Sequence, residues 1–240
     1  EGIMKKAVIW AVLMLAVASI IALSPYPSWA QAKEPIKIGF IAPLSGAFSA
    51  TGKDMLNGIQ LYLGEIGYQA AGRKIELIVE DDEAVPATGL TKTRKLVEKD
   101  GVHIMSGGLM ASTGYALAPY IDSKEIPMTY PIMAPDDLTQ RQRAKWIVRT
   151  GWNSSQANHP LGEYTYKTLK YRRATIMGLD YAFGWESAGG FQKTFEEAGG
   201  KIIQKIWCPL TVTDFSPYLS QISKDADVLY RRDLRSSLLL

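Results

Sequence analysis

The stretch Gly107-Gly108-Leu109-Met110-Ala111-Ser112-Thr113-Gly114 is the part of the sequence that says most about its fold class. The apolar segment 102–105 before it predicts a short strand, and the segment 115–124 after it has apolar residues at helical spacing. Ser112 and Thr113 are residue types that favour the N-cap of a helix. The pattern therefore predicts a strand, a turn through glycines, and a helix whose first backbone N–H groups are free.

Free N–H groups at the start of a helix attract anions, so this turn predicts a site for a carboxylate or another anion. In an open α/β sheet, ligands lie at the carboxyl ends of the strands, where such a turn is found. An ordinary strand-to-helix turn without a ligand gives the same pattern. The stretch by itself leaves both interpretations open.

Strand and helix patterns alternate along the rest of the chain up to residue 230. Short connections between them predict right-handed crossovers and parallel sheets with helices on both faces. The alternation is interrupted near residues 149–153, so we expect an α/β protein with two doubly wound parallel-sheet lobes: an N-terminal lobe at 33–150 and a second, incomplete lobe at 151–230. In the second lobe we expect a helix from Ser154 or Ser155 to Lys170, and another from Phe215 to Lys224. The inward residues of the first of these helices are expected to be Leu161, Tyr164, Thr168 and Leu169.

Residues 1–32 differ from the rest of the chain. Lys5 and Lys6 precede an apolar run at 7–23, and Ala30-Gln31-Ala32 has the small-x-small pattern of a signal-peptide cleavage site. The run is about long enough to span a bilayer, so a retained anchor is the alternative. The prolines after the run favour a removed signal peptide, and we expect a protein that works in the periplasm.

Composition excludes some classes of function. The chain has 240 residues, of which 47% are hydrophobic and 21% charged, and its net charge is +3. These values are typical of a soluble globular protein. The charges are spread along the chain, which argues against nucleic-acid binding. The single cysteine, Cys208, cannot form an internal disulfide and is expected to be a packing residue.

Motifs for catalysis are missing from the sequence. It has no glycine-rich dinucleotide fingerprint, no phosphate-binding loop and no nucleophile elbow around Ser112. Neither His103, expected in the core, nor His159, expected in solvent, has a partner at metal-ligand spacing. The acidic run 80–83 could bind a cation, but it is more typical of a solvated cap on a strand. We therefore expect no enzyme activity, no cofactor and no metal.

Small and aromatic residues follow several predicted strands, where apolar walls and a few polar groups would form a small-molecule pocket. Each aromatic taken singly is explained equally well as a core residue. The collection is more informative because its members all follow strands. The candidate ligand-binding residues are Thr51, Met110, Ala111, Ser112, Thr113, Tyr130, Met133, Ala134, Tyr181 and Phe183, with Trp152 and Trp185 nearby.

Residues 36–46, IKIGFIAPLSG, followed by Thr51-Gly52 and Asn57-Gly58, resemble the start of a mature type I periplasmic binding protein. Further landmarks match its branched-chain amino acid (Leu/Ile/Val) substrate-binding family of ABC transporters. These are Glu80-Asp81-Asp82, 107–113, 131–139, 183–186, 191–200 and 214–219. The order and spacing of these stretches make the resemblance specific from about residue 34 to residue 230.

The resemblance implies two lobes that close on a ligand like a hinged clamp, without catalysis. It implies a monomer that delivers a small-molecule ligand to an ABC transporter permease, its one link to the membrane. The contacts implied fall on Thr51, 110–113 and 133–135 in the first lobe, and on Phe183 beside Tyr181 and Trp185 in the second. A sensory ligand-binding domain of the same fold is the alternative.

The sequence departs from the family pattern at three places. Ala84 and Met110 stand near where some members have a disulfide. The serine that grips the ligand in close relatives is replaced around Met110, although Ser112 lies two residues further on. Methionine and aromatic residues there suggest a more apolar or aromatic ligand. Aromatic carboxylates, small amides and branched-chain amino acids all stay open. Residues 231–240 do not resemble the continuation of the family, so we expect an atypical tail on a truncated chain, with a short divergent member as the alternative.

Overall fold

A computed structural model describes residues 33–232. The predicted signal peptide, 1–32, and residues 233–240 of the predicted tail lie outside the described residues. Within the described range the chain forms two sheets, parallel except for one short edge strand and flanked by helices, which confirms the predicted fold class. The two lobes contact each other through an apolar cluster at their strand ends and through Tyr115 and Glu186.

The first sheet has six strands in the order β2-β3-β1-β4-β5-β6. Its strands are β1 (Ile36–Ala42), β2 (Gln69–Ala70), β3 (Arg73–Asp81), β4 (Ile104–Gly107), β5 (Met128–Tyr130) and β6 (Ile147–Arg149). All pairs are parallel except β2 with β3. The helices of this lobe are α1 (Ser49–Glu65), α2 (Pro86–Glu98) and α3 (Ala111–Lys124), with a 3₁₀ turn at Asp137–Thr139.

The second sheet has three parallel strands in the order β8-β7-β9. They are β7 (Arg173–Leu179), β8 (Lys201–Cys208) and β9 (Val228–Arg232). The helices of this lobe are α4 (His159–Lys167), α5 (Ala182–Glu197) and α6 (Ser216–Leu219), and a 3₁₀ turn lies at Gln156–Asn158. Strand β9 runs through Arg231 and Arg232, two residues into the segment predicted to be an atypical tail.

Strand order reverses between β1 and β4 in the first sheet and between β7 and β9 in the second. At such a point the connections leave to opposite sides, and a crevice opens at the carboxyl ends of the strands. The core of each lobe holds the strands in place: Ile41, Leu117 and Met128 are buried in the first lobe. In the second, Phe191 stacks on Phe195 and on Tyr230, with centroids 5.3 and 4.3 Å away.

The predicted inward face of α4 is wrong. Leu161, Tyr164 and Leu169 are 44%, 50% and 45% exposed, and Thr168 is also exposed. The buried residues are Gly162 and Thr165, because α4 packs so closely on α5 that a Cβ on Gly162 would lie 2.3 Å from the carbonyl oxygen of Phe191. Small residues therefore face the core, and the larger apolar ones face outward.

The helix predicted at Phe215–Lys224 is also wrong in length, since α6 ends at Leu219. The Gln204 side chain on β8 explains the early end. Its amide nitrogen donates to the carbonyl of Gln221 at 2.8 Å, and its oxygen accepts from the N–H of Ser223 at 2.9 Å. These bonds compete with the helical pattern and hold the segment against the sheet.

Candidate functional site

The carboxyl end of β4 turns sharply through Gly107 and Gly108. Their φ angles are +103° and +80°, in the region that side chains disfavour. A Cβ on Gly107 would lie 2.2 Å from the carbonyl oxygen of Ile41, and one on Gly108 would meet the Met133 side chain. The turn therefore needs both glycines, as predicted from the sequence.

Helix α3 begins at Ala111, with Met110 as its N-cap residue and no side chain capping its first turn. The prediction that Ser112 or Thr113 caps the helix is wrong, because both lie within the first turn. Thr113 is fully buried and its methyl group points toward Gly89 on α2. The predicted free N–H groups at this helix start are present, but the capping position is occupied by an apolar side chain.

The second lobe repeats this arrangement at the end of β7. Helix α5 begins at Ala182, its N-cap residue is Tyr181, and no side chain caps it. A Cβ on Gly184 would lie 2.0 Å from the carbonyl oxygen of Leu179, so the helix packs tightly on the strand end. Arg232 is the last described residue of β9 and pairs in register with Gly178. It therefore lies at the point where the strand order of the second sheet reverses.

A cavity of about 220 Å³ lies between these two strand ends. The first lobe contributes what we call the first edge, formed by Leu109, Met110, Ile132 and Ala134. The other wall, which we call the second edge, is formed by Trp152, Tyr181, Phe183 and Arg232. The ring of Phe183 lies at the centre of the second edge, with its centroid 6.0 Å from those of Trp152 and Tyr181. This volume suits a molecule about the size of a single aromatic ring.

Arg232 is the one charged residue among the eight that line the cavity. Its guanidinium carbon lies 5.2 Å from the centroid of the Phe183 ring, at the distance of a cation–π contact. Its Nε is buried and has no hydrogen-bond partner within residues 33–232. Burial also raises the pKa of the Tyr181 phenol, so that side chain stays neutral. The electrostatic character of the cavity is therefore positive.

Four predicted site residues come together around the cavity: Met110, Ala134, Tyr181 and Phe183. Ala111 is buried in the same apolar cluster, and Ser112 is half-buried on the first turn of α3. The structure places three others in the core of the first lobe, namely Thr113, Tyr130 and Met133. The hydroxyl of Tyr130 donates to the carbonyl of Gly114 at 3.0 Å. Thr51 lies exposed on α1.

The candidate list drawn from the sequence lacks Leu109, Ile132 and Arg232. Leu109 and Ile132 lie in the stretches 107–114 and 131–139, which follow predicted strands. Their position after a strand could therefore have marked them as residues of the site. Arg232 gave no such signal, because its segment did not resemble the family and was expected to be a tail. Its place in the cavity follows from the pairing of β9 with β7.

Beside the apolar cavity, the two lobes are joined by polar contacts. The Tyr115 hydroxyl on α3 donates to Oε1 of Glu186 on α5. The same Glu186 oxygen accepts from the N–H of Asp136 at 3.2 Å, and the Tyr115 oxygen accepts from the N–H of Asp137 at 3.1 Å. Burial raises the pKa of the Glu186 carboxyl. A second, polar cavity of about 470 Å³ opens next to this network, and His159 lines it.

The remaining candidates for chemistry have structural roles. His103 is exposed and accepts from the N–H of Lys37 at 3.0 Å, so the prediction of a core histidine is wrong. In the acidic run, Glu80 pairs with Lys92 and Lys95, and Asp81 accepts from the N–H groups of Leu44 and Glu83. Within residues 33–232 no group of three or more His, Cys, Asp or Glu is arranged to hold a metal ion. The longest helix in that range has 17 residues, and none combines the length and hydropathy of a membrane span.

The chain is similar to known proteins over most of the described range. A family model described as periplasmic binding protein matches residues 35–231. Among curated proteins, "Leu/Ile/Val-binding protein homolog 6" of Brucella abortus is 28% identical over 220 residues, which are 91% of this chain and 53% of that protein. The chain spans about half the length of the curated relatives it matches.

The chain is also similar to solved structures of ABC transporter solute-binding proteins. An ABC transporter substrate-binding protein from Sphaerobacter thermophilus is 34% identical, with a TM-score of 0.72, over 82% of this chain and 54% of that chain. A solute-binding protein of an ABC transporter from Rhodopseudomonas palustris, solved in complex with 3,4-dihydroxybenzoic acid, is 29% identical. Its TM-score is 0.75, over 82% of this chain and 54% of that chain.

Proposed function

The chain belongs to the periplasmic binding protein family, in the group that includes the Leu/Ile/Val-binding proteins, and we propose that it is an exported solute-binding protein. It captures a small aromatic or apolar carboxylate in the cavity between the first and second edges and releases it unchanged. A branched-chain amino acid is the second candidate ligand, and the naming of the curated relatives as Leu/Ile/Val-binding proteins favours it.

The observation that carries this proposal is the cavity itself. Its walls are aromatic or aliphatic at seven of eight positions, and the eighth is the cation Arg232. Two helices, α3 and α5, begin at its rim with uncapped first turns, and their N–H groups favour an anion. An aromatic acid whose ring lies between Phe183 and Met110, with its carboxylate toward Arg232 and the helix N–H groups, would match both the shape and the positive charge of the cavity.

An amino-acid ligand would need an acceptor for its ammonium group, and none of the eight lining residues is acidic. Two backbone carbonyls near the cavity already accept hydrogen bonds. The oxygen of Ala134 accepts from the hydroxyl and the N–H of Ser154. The oxygen of Pro135 accepts from Arg149 at 2.7 Å. The aromatic carboxylate is therefore the ligand class that the described residues favour, and the dihydroxybenzoic acid complex of the Rhodopseudomonas relative supports it.

The partner that this role requires is an ABC transporter permease, which receives the ligand from the closed clamp in the periplasm. Relatives described as ABC transporter substrate-binding proteins support this part of the proposal. The alternative, an extracytoplasmic sensory domain with the same fold, would deliver a signal rather than a solute. The genes beside the reading frame separate the two, since a permease and an ATPase indicate transport and a kinase or receptor indicates signalling.

Thermal unfolding with a ligand panel tests the function. A ligand that binds only the folded state at about 100 times its Kd adds roughly 2.7 kcal/mol to the free energy of unfolding, which raises the Tm by several degrees. We expect a rise with benzoate or 4-hydroxybenzoate, a smaller one with leucine, and none with benzylamine, which replaces the carboxylate by a cation. Equal Tm values with all four compounds would contradict the proposal.

A further inference from the structure

We propose that Arg232 is the specificity-determining residue of the cavity, and that it selects carboxylates that carry no ammonium group. This inference rests on the proposed function. It goes further because it assigns the discrimination to one side chain, at the end of β9, outside the candidate list drawn from the sequence.

The position of Arg232 is fixed by the backbone. Strand β9 pairs with β7 in parallel register through five residues, from Val228 opposite Ala174 to Arg232 opposite Gly178. From this register position Arg232 lines the cavity, with its guanidinium over the Phe183 ring. The neighbouring strand residue, Arg231, has its guanidinium 5.8 Å from the Phe215 ring. The two arginines therefore contact different aromatic residues.

The environment of the guanidinium group calls for an anionic ligand. One face of the group lies over the Phe183 ring, which keeps the side chain ordered. The buried Nε has no acceptor within residues 33–232. That nitrogen is closed off from the cavity, so the terminal guanidinium N–H groups of Arg232 are the ones that can meet a ligand. A carboxylate accepts the strongest hydrogen bonds from such groups. None of the eight residues that line the cavity is acidic, so no lining side chain neutralises the charge of Arg232.

An ammonium group would be placed badly in the same cavity. In an α-amino acid it is attached to the carbon next to the carboxylate, so it would lie close to the guanidinium, a like charge. The carbonyl oxygens of Ala134 and Pro135 already accept hydrogen bonds from Ser154 and Arg149. A simple aromatic acid avoids both penalties, since it brings one negative charge and no positive one.

The test is a cycle of two proteins and two ligands, measured by calorimetric titration. The proteins are the wild-type chain and Arg232→Gln, and the ligands are benzoate and its neutral isostere benzamide. We expect wild type to prefer benzoate by at least about tenfold, and Arg232→Gln to lose that preference while binding benzamide as wild type does. Leucine binding should weaken less than benzoate binding in Arg232→Gln, because the lost repulsion of the ammonium group offsets the lost attraction of the carboxylate. The matched control, Arg231→Gln, should keep the wild-type preference.

The outcomes separate the two proposals. If wild type binds benzoate and Arg232→Gln retains the full preference for benzoate over benzamide, the role of Arg232 is refuted and the proposed function stands. If wild type binds neither aromatic acids nor amino acids, the proposed function itself fails. Should Arg232→Gln not fold, as judged by its circular dichroism melt, the Nε–H resonance of Arg232 in wild type gives the answer. The inference requires that resonance to shift on addition of benzoate, and an unmoved signal at saturation overturns it.

Discussion

At the first edge of the cavity the backbone sets the geometry, whereas at the second edge the side chains do. Gly107 and Gly108, which lead into the first edge, turn the chain through positive φ angles with no room for a Cβ. The second edge presents three aromatic rings and one guanidinium on strand and helix ends. A change in the glycine turn that leads into the first edge should therefore cost stability, and a change at the second edge should cost ligand binding. Substitutions on both sides of the cavity test this contrast.

The largest effect is expected in the glycine turn that leads into the first edge, for Gly107→Ala. The new Cβ would lie 2.2 Å from the backbone oxygen of Ile41, at a φ of +103°, so we expect a loss of about 4 kcal/mol in the free energy of unfolding. The control is Gly101→Ala, where φ is +67° and nothing lies within 4 Å of the Cβ; it should cost about 1 kcal/mol. Urea unfolding measures both, and equal losses would show that the close contact has no role.

A buried carboxylate behind the first edge should make stability depend on pH. Asp82 is fully buried, and burial raises its pKa from 3.8 to about 6. Between these values the folded protein holds the proton more tightly than the unfolded chain. The contribution of Asp82 to the free energy of unfolding should therefore fall by about 3 kcal/mol as the pH rises from 3.8 to 6.

The variant Asp82→Asn has no proton to lose and keeps an acceptor for the N–H of Ala84, which the Asp82 carboxylate holds at 2.9 Å. Its stability relative to wild type should therefore rise across the same pH window. Urea midpoints at pH 3.5, 5 and 7 measure the difference. A constant difference at all three pH values would contradict a raised pKa.

The polar contacts that hold the two edges opposite each other should have an intermediate effect. Glu186→Ala leaves the Tyr115 hydroxyl and the N–H of Asp136 without an acceptor, so we expect a loss of about 2 kcal/mol. Glu186→Gln keeps an oxygen at that place and should lose less than half as much. A double-mutant cycle with Tyr115→Phe should show positive coupling, and additive effects would mean that the contact does not join the lobes.

The smallest effect on stability is expected at the second edge. Trp152 is 46% exposed, so Trp152→Leu should change the free energy of unfolding by less than about 1 kcal/mol. The affinity for benzoate, in contrast, should drop by about tenfold, because the bound benzoate ring loses its aromatic contact with Trp152. Titration calorimetry and urea unfolding on the same variant measure both quantities. If Trp152→Leu lost much of its free energy of unfolding and kept its benzoate affinity, the proposed difference between the two edges would be contradicted.

The sequence predicted the first edge better than the second. A strand, two glycines and a helix form a local pattern, so the turn at 107–114 and its position in the sheet could be inferred from consecutive residues. The identity of the N-cap could not, because Ser112 and Thr113 fit the cap in isolation and only the packing of Thr113 against Gly89 draws them into the helix.

The second edge depends on contacts between residues far apart in the chain. Arg232 reaches the cavity because β9 pairs with β7, which no local pattern indicates. The outward apolar face of α4 has a similar cause. Helical spacing predicted that Leu161 and Tyr164 face the core. Gly162 instead packs closely on α5, so the small residues of α4 face the core and the two larger ones face solvent. Which face is buried was decided by the neighbouring helix.

The most direct test of the cavity as the ligand site uses two methionines. Met110 lines the cavity, and Met133 lies behind Gly108 in the core of the first lobe. In a protein with ¹³C-labelled methionine methyl groups, bound benzoate should give intermolecular NOEs from its ring protons to Met110 and none to Met133. NOEs to neither methionine, with ligand signals instead on residues around the polar cavity at Asp136 and His159, would contradict the account.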